Sequence, residues 1–506
     1  MKKLILFIVL LGAIRIAMAQ VPPATFTAIS STQNFSNIPS SQEVVCSNGA
    51  DLVVTYSKKT ATPAVHQFVV KDLSANTSKA ISFANTEYVT YQIYDCDMAG
   101  DICYFCGAKL AIPFRPETHP ITDYIGFVGY FNAADVINGS TQYTIIDINN
   151  TYALTKIAAN PSNQDLLTIG LPTDSPLTAD NQPTTTCIAG IYQDESGLWR
   201  YDMKTPMGNG EILTDVTVCD EGFLTISRFE GDGHSFGVRY VKRTPISDDA
   251  MNYQLKNLYR FNTNSIYITP MGTTGISRIG ETPILIDNHT VAFVCQTDNN
   301  DLHGVAMFRL DLASLGSVGL MQVAESKFVK MAPGIELLDM ANYSFGTPRS
   351  HQAEYVALLI NDTPNSRAEI IQTRWDIANQ NADNQLTCNH SEALLRSITA
   401  AQDGKYIYVS GHTNNTDNHA TSLYHFFQHS AYFHDAGLSC LGNTSYLTYR
   451  INECPSPEVT ECTEFESHQA TVYPYTANPK NPNAIRLCSR TGLDRTYSVV
   501  PELEIE

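Results

Sequence analysis

A hairpin of two short strands recurs along this chain and limits what the chain can fold into. Its clearest copy joins a strand around Tyr94–Met98 to a second strand, Ile102–Gly107, through a turn. The strands are rich in β-branched and aromatic side chains, which suit a pleated sheet. Similar pairs are Glu43–Cys46 with Leu52–Ser57, Ile157–Ala158 with Leu166–Gly170, Val216–Val218 with Phe223–Ser227, Ile284–Ile286 with Val291–Cys295, and Ile398–Ala400 with Tyr406–Gly411, and a less regular unit covers Tyr355–Asn361.

The spacing of these units predicts the fold class. Equivalent positions in the second strands run from Ser57 to Gly411 in six steps, which is a mean spacing of 59 residues. In the first two units a third and a fourth strand follow, so each unit is a four-stranded meander. Such meanders are the blades of β-propellers, which typically take about 40–50 residues each. Long polar connections account for the excess, namely Ala108–Asp123, Leu171–Thr186 and Gly411–Thr421.

We therefore predict an all-β protein, a β-propeller of seven four-stranded blades within residues 20–450. A ring of six or eight blades is the alternative, because the unit near Tyr355 is irregular. The early strand Thr25–Ile29 is expected to pair into the final blade, so that no sheet edge stays open where the ring closes.

The C-terminal segment reads differently from the repeats. Residues 451–506 are predicted to form a cysteine-containing tail packed on the last blade. The four cysteines that follow Ser430 are expected to form two disulfides of unknown connectivity. They are Cys440, Cys454, Cys462 and Cys488.

The first residues predict export. Lys2 and Lys3 precede an apolar run from Leu4 to Ile14, and Ala17-Met18-Ala19 offers a cleavage site before Gln20. This order is that of a secretory signal peptide over residues 1–19, and the run is too short for a membrane span. The expected location is therefore the periplasm, the cell surface or the medium, with no membrane span in the mature protein.

The charge of the chain argues against nucleic acid as a partner. The formal net charge is −19, and removal of Lys2, Lys3 and Arg15 with the signal peptide makes it −22. A protein of this charge repels phosphate backbones, and no basic stripe gathers its remaining Lys and Arg residues.

One stretch carries a family resemblance. Asp97–Gly107, together with Gly126–Phe131, resembles a blade motif in uncharacterised secreted β-propeller-like proteins of Bacteroidetes. The resemblance implies a β-propeller exported from a Gram-negative cell. It implies no catalytic or binding residues.

No sequence motif predicts a catalytic, cofactor or metal site. Nucleophile-elbow, zinc-protease and phosphate-loop patterns are missing, so catalytic residues stay unknown and we expect no cofactor and no metal. The histidines of one stretch fit no ligand spacing and are interpreted as part of an exposed hairpin and loop. They are His412, His419, His425, His429 and His434. Asp298–Asp301 is interpreted as a turn, not a calcium loop, because it lacks the closing Glu.

Cysteines near the first motif raise a further possibility. If the hairpin turn is Met98–Asp101, Cys96 and Cys103 face each other across it. Directly opposed Cβ atoms lie slightly farther apart than a disulfide prefers, so a bond there is allowed but not favoured. Cys103 and Cys106 form a CxxC within a strand pattern, which is unlike a metal knuckle.

Two functions follow from this reading. The first is a non-enzymatic binding or interaction module that holds a protein or glycan partner on a loop face. The alternative is a glycan-active enzyme, either a glycoside hydrolase or a polysaccharide lyase, with its site in the axial funnel of the ring. Opposed carboxylates in that funnel would favour the enzyme, whereas an apolar plug would favour the binding module.

Overall fold

The computed structural model describes most of residues 25–489. It leaves out 1–24, 32–43, 111–122, 269–283, 297–302, 312–321, 346–352, 375–381, 414–420, 428–444, 451–456 and 490–506, with gaps of up to five residues elsewhere. The predicted signal peptide and the Asp298–Asp301 turn lie outside the described residues.

Nearly all of the described chain is β-strand. The strands of the first half are β1 (Thr25–Ser31), β2 (Val44–Ser47), β3 (Leu52–Lys59), β4 (Val65–Asp72), β5 (Thr77–Ala84), β6 (Thr90–Ala99), β7 (Ile102–Leu110), β8 (Ile125–Asn132), β9 (Gln142–Ile148), β10 (Thr151–Ala159), β11 (Leu166–Pro172), β12 (Cys187–Gln193), β13 (Trp199–Lys204), β14 (Glu211–Cys219), β15 (Gly222–Phe229), β16 (Asp232–Ser247) and β17 (Ala250–Asn262). The second half adds β18 (Tyr267–Ile268), β19 (Ile284–Leu285), β20 (Thr290–Gln296), β21 (His303–Asp311), β22 (Gln322–Met331), β23 (Ile335–Phe345), β24 (Ala353–Asp362), β25 (Arg367–Arg374), β26 (Ala382–Asn389), β27 (Ala393–Ala400), β28 (Tyr406–Thr413) and β29 (Thr421–Phe427).

Helix is scarce in the part of the chain that the structure describes. A five-residue helix, α1 (Ala133–Ile137), begins at Asn132, whose side chain accepts a hydrogen bond from the amide of Asp135. A short 3-10 turn covers Thr363–Asn365. No described helix is long and apolar enough to cross a membrane.

These strands pair into seven antiparallel sheets, which we number in chain order. Sheet 1 contains β2–β5, sheet 2 β6–β9, sheet 3 β10–β13 and sheet 4 β14–β17. Sheet 5 contains β18–β22, with β18 and β19 both paired to β20, and sheet 6 contains β23–β26. Sheet 7 contains β27–β29 together with β1.

The sheets pack against one another in sequence order and close into a ring. Apolar side chains fill the space between neighbouring sheets from sheet 1 to sheet 6, as Phe68 and Phe105 do between sheets 1 and 2 at 4.7 Å between ring centroids. Phe236 and Phe308 do the same between sheets 4 and 5. The first strand of sheet 7, β27, contacts β23 of sheet 6 on one side and β2 of sheet 1 on the other. This is an all-β protein with a β-propeller fold, and that part of the prediction is confirmed.

The N-terminal strand joins the two ends of the ring as the sequence predicts. β1 pairs antiparallel with β29, placing Phe26 opposite Phe426 and Ile29 opposite Leu423. The last sheet is thus built from both ends of the chain, which covers an edge that would otherwise be open.

The C-terminal segment encircles the ring, which the sequence did not predict. Its short strands are β30 (Ser445–Tyr446), β31 (Thr448–Arg450), β32 (Pro457–Thr460), β33 (Glu466–Gln469), β34 (Thr471–Thr476), β35 (Asn478–Lys480) and β36 (Pro482–Ser489). They pair in turn with the outer strands of sheets 6, 5, 4, 3, 2, 1 and 7, so the segment runs against the order of the sheets. We call residues 445–489 the belt.

Two predictions are therefore wrong. A sheet has five strands rather than four, and sheet 5 has six because its inner strand is split. The C-terminal segment does not pack on the last blade alone, since the belt adds a strand to every sheet. The physical reason is that each four-stranded sheet leaves an outer row of unpaired backbone groups, which the belt satisfies.

Side chains also attach the belt where it passes sheets 2 and 3. The ring of Tyr475 stacks on Tyr143 at 5.3 Å between centroids, and His468 stacks on Tyr201 at 5.0 Å. Tyr473 lies 4.8 Å from the Lys109 ammonium, which is itself paired with buried Asp147. The belt thus adds aromatic contacts to its backbone pairing.

We expect removal of the belt to destabilise the ring. A chain ending at residue 444 should melt on the order of 10 °C or more below the full chain, because edge pairing is lost at every sheet. It should also scatter more light, because exposed edges pair between molecules. The matched control ends at Ser489 and keeps every described belt strand. Equal melting temperatures for the two truncated chains, measured by circular dichroism, would contradict the role assigned to the belt.

A buried histidine in sheet 1 predicts a pH dependence of stability. His66 is fully buried between Tyr56, whose hydroxyl lies 2.8 Å from Nδ1, and Asn85, whose Oδ1 lies 2.9 Å from Nε2. Burial lowers the pKa of His66 to about 3. Below about pH 6.5 the His66 side chain therefore binds a proton in the unfolded chain but stays neutral in the folded chain. The free energy of unfolding falls as the pH drops toward 3.

The comparison that isolates this effect is with His66→Gln, which does not titrate. We expect the stability advantage of the wild type over the variant to shrink by up to about 1.4 kcal/mol per pH unit below 6.5. Urea unfolding at a series of pH values measures it. An advantage that stays constant between pH 7 and 4 would show that His66 does not stay neutral in the fold.

Candidate functional site

The inner strands of five sheets share a β-bulge at the same place. In each of these sheets the inner strand contains one extra residue that has no partner on the second strand, so the pairing register shifts there. The residues flanking the shift are Ile93 and Asp95, Leu154 and Lys156, Leu213 and Asp215, Leu337 and Asp339, and Leu395 and Ser397. An apolar residue thus precedes each bulge and a polar residue follows it. Bulges of this kind redirect a side chain.

Small residues on the second strand make room for most of these bulges. Gly107, Gly170, Ser227 and Gly411 lie opposite the apolar residue that precedes the shift. A Cβ atom on Gly107 would lie 1.9 Å from the carbonyl oxygen of Gln92, so no other residue fits there without moving the backbone. The recurrence of small residues in the sequence therefore reflects the bulge.

Polar side chains that follow the bulges gather where the inner strands surround the axis of the ring. Asp95, Lys156, Asp215, Asp339 and Ser397 are all half-buried. Asp97, two residues after Asp95 on the same strand, is half-buried as well. We call these six residues the axial cluster.

Lys156 is the cation of the axial cluster. Its Nζ lies 3.9 Å from Oδ1 of Asp215. Burial alone would lower the pKa of Lys156, but Asp95, Asp215 and Asp339 raise it above its usual value. A lysine in this field is charged at neutral pH and offsets part of the negative charge around the axis.

Burial acts on the carboxyl groups in the opposite direction. It raises the pKa of Asp95 to about 8 and that of Asp97 to about 7, against the lowering effects of Lys156 on Asp95 and of backbone amides on both. Burial also raises the pKa of Asp339.

These carboxylates fasten neighbouring sheets to each other. Oδ2 of Asp95 accepts a hydrogen bond from the amide of Ile157 at 3.1 Å, which links sheets 2 and 3. Asp97 repeats the link to Ala159 at 2.8 Å. Between sheets 6 and 7, Oδ2 of Asp339 accepts from the Ser397 hydroxyl at 2.8 Å and the Ile398 amide at 2.9 Å. The same polar position thus joins two different pairs of sheets.

Between sheets 1 and 2 the contact near the axis contains thiols instead. Cys46 on β2, Cys96 on β6 and Cys103 on β7 meet with their Sγ atoms within 4.8 Å of one another. We call them the thiol cluster. Among the residues that the structure describes, these three cysteines lie close enough together to hold a metal ion.

The predicted register of the Cys96 hairpin is wrong by two residues, because Cys96 lies opposite Phe105 rather than Cys103. Gly100 adopts a φ of 57°, which allows a two-residue turn at Gly100–Asp101, and Met98 then lies opposite Cys103. Cys96 is therefore diagonal to Cys103, and both thiols are free. Cys103 and Cys106 lie in one strand, as predicted, and contribute to different interfaces, Cys103 toward sheet 1 and Cys106 toward sheet 3.

The five histidines between His412 and His434 and the four tail cysteines lie largely outside the described part of the chain. His412 and His425 lie on the neighbouring strands β28 and β29, but their side chains and the other three histidines are not described. The same holds for the side chains of the four tail cysteines, so the two predicted disulfides stay a prediction. The axial cluster was not predicted from the sequence, although the first strand of five hairpins contains an apolar residue followed two positions later by a polar residue.

Comparisons with known proteins add little beyond this geometry. No family model matches the chain, and no curated protein sequence matches it. One matching solved structure is the β-propeller domain of the Trilobed protease from Pyrococcus furiosus, described as having an open velcro topology. It shares 10% identity with this chain at a TM-score of 0.37, and the match covers 78% of this chain and 97% of that one.

We expect loss of the Asp339 carboxylate to weaken the contact between sheets 6 and 7. In Asp339→Ala the Ser397 hydroxyl and the Ile398 amide lose their acceptor, which should lower the unfolding free energy by about 1–3 kcal/mol. Asp339→Asn keeps an acceptor oxygen and should lose about half as much or less. Urea unfolding followed by fluorescence compares the two, and equal losses would show that the charge matters rather than the hydrogen bonds.

Proposed function

We propose that this chain is an exported, non-enzymatic binding module that holds a protein or glycan partner on one loop face of its ring. The observation that carries the proposal is the commitment of axial carboxylates to hydrogen bonds between sheets. Asp97 and Asp339 accept backbone amides of the next inner strand, so they serve to join sheets rather than to transfer protons. These hydrogen bonds fix sheet 2 to sheet 3 and sheet 6 to sheet 7, and packed sheets joined in this way are a rigid platform for loops.

The described residues of the β11–β12 loop supply a candidate contact for the partner. Between β11 and β12 the chain folds back on itself, with Leu177 bridged to Pro183. The Ser175 hydroxyl accepts the amides of Thr184 and Thr185, each at 3.0 Å. The Leu177 side chain is 43% exposed on this loop. The Leu177 side chain is therefore accessible to a partner that docks on this loop face.

Location and partners follow from the sequence. The leader-like residues 1–19 and the resemblance of Asp97–Gly107 to secreted proteins of Bacteroidetes support export to the periplasm, the cell surface or the medium. The net charge of −19 supports a partner other than nucleic acid.

A glycan-active enzyme is the second candidate, and one observation favours it. In the described part of the chain, the half-buried polar side chains Lys156 and Asp215 lie beside the axis, with Nζ and Oδ1 3.9 Å apart. Opposed acidic groups beside a cation occur in hydrolase and lyase sites. A glycoside hydrolase would place two such carboxyl groups about 5–10 Å apart.

Binding can be tested with a glycan array and, for protein partners, by capture on the immobilised chain followed by titration of each identified ligand. We expect Leu177→Ser to weaken partner binding at least about tenfold without lowering the melting temperature. The matched control is Leu198→Ser, which is 47% exposed in the β12–β13 turn at the opposite end of the same sheet. If both variants lost the same affinity for the partner, or if neither lost any, the β11–β12 loop would not be part of the binding face.

The two candidate functions are separated by an activity screen. Purified chain incubated with a panel of polysaccharides should release neither reducing ends nor unsaturated products. Release that is abolished by Asp215→Asn, in a variant that melts like the wild type, would establish the enzyme and overturn the binding module.

A further inference from the structure

The thiol cluster has the composition of a soft-metal site. Its ligand atoms come from three strands of two sheets, β2 in sheet 1 and β6 and β7 in sheet 2. The Sγ of Cys96 lies 3.2 Å from that of Cys46, and the Sγ of Cys103 lies 4.0 Å from that of Cys46. These separations are longer than a disulfide bond of about 2.05 Å.

The separations suit a metal ion bound by three sulfurs. A metal at about 2.3 Å from each sulfur in a plane holds the sulfurs about 4 Å apart. The thiols lie within 4.8 Å of one another, so small side-chain movements bring them to that geometry. Because the ligands come from separate strands of packed sheets, the fold itself brings them together.

Burial restricts which metal can occupy the cluster. Cys46, Cys96 and Cys103 are 4%, 5% and 0% exposed, and they lie within an apolar core that includes Tyr56, Phe105 and Phe127. Hard ions such as Mg²⁺ and Ca²⁺ require oxygen ligands and water, whereas thiolates select soft ions.

The number of ligands narrows the choice further. Structural Zn²⁺ almost always takes four ligands in a tetrahedron. Among the described residues, the group consists of three cysteines without a fourth His, Cys, Asp or Glu. Cu⁺ is the soft ion that three sulfurs satisfy.

We propose that Cys46, Cys96 and Cys103 form a binding site for one Cu⁺ ion between sheets 1 and 2. Thiolates rather than thiols bind such an ion, so the three thiol protons pass to solvent as it binds, and the Cu⁺ ion with its three thiolates carries a net charge of −2. The site joins two blades and does not depend on the proposed partner.

The first test is a titration of the full chain with Cu⁺ against a chromophoric Cu⁺ chelator, without oxygen. We expect Cys46→Ser and Cys103→Ser each to weaken one binding event at least about tenfold. The matched control is Cys187→Ser, a fully buried cysteine of sheet 3 outside the cluster. Identical titrations for all four chains would overturn the proposal.

A second measurement uses the wild type, so it does not depend on the folding of a variant. Thiol alkylation in mild denaturant, with and without one equivalent of Cu⁺, is mapped to each cysteine by mass spectrometry. Slower alkylation confined to Cys46, Cys96 and Cys103 is the expected result. Protection elsewhere, equal protection by Zn²⁺, or a Cys46–Cys96 disulfide in protein isolated without reductant would each contradict the Cu⁺ site.

Discussion

Backbone pairing at the edges of the sheets is the constraint on which this structure depends. Each four-stranded unit leaves an inner and an outer edge whose amide and carbonyl groups need partners. At the outer edge the belt supplies those partners for all seven sheets, ending with β36 beside β1. Near the axis, side-chain carboxylates of the axial cluster accept amides from the neighbouring inner strand, as Asp95 does from Ile157. The two edges are therefore satisfied by different chemistry.

The repeating hairpins were predictable because their signal is local. Strand residues such as Phe223–Ser227 and Tyr406–Gly411 carry the β-branched and aromatic pattern within a few residues of a turn, and both lie in strands. The pairing of Thr25–Ile29 with the last sheet was also predictable, because closure of a ring requires it. These features follow from composition and from one topological rule.

The belt and the axial cluster were harder to predict, for different reasons. Belt strands such as Asn478–Lys480 are only a few residues long, and what stabilises them is the edge they meet, which the sequence does not show. The axial cluster depends on bulges, and one extra residue reverses which face a side chain occupies. The polar residues of the Leu154–Lys156 and Leu337–Asp339 pairs were visible in the sequence, but their convergence requires the ring.

The path of the belt also sets the order in which the molecule can be completed. β1 precedes the other strands in the chain, yet both of its partners come late. Phe26 of β1 lies opposite Phe426 of β29 on one side and opposite Cys488 of β36 on the other. Domains generally begin to fold from the N-terminal end during synthesis, and contacts distant in sequence form slowly. This ring cannot close in that way, since β1 pairs with β29, which follows the other six sheets in the chain. Ring closure is therefore a late step in synthesis, and the other edge of β1 is covered later still, by β36.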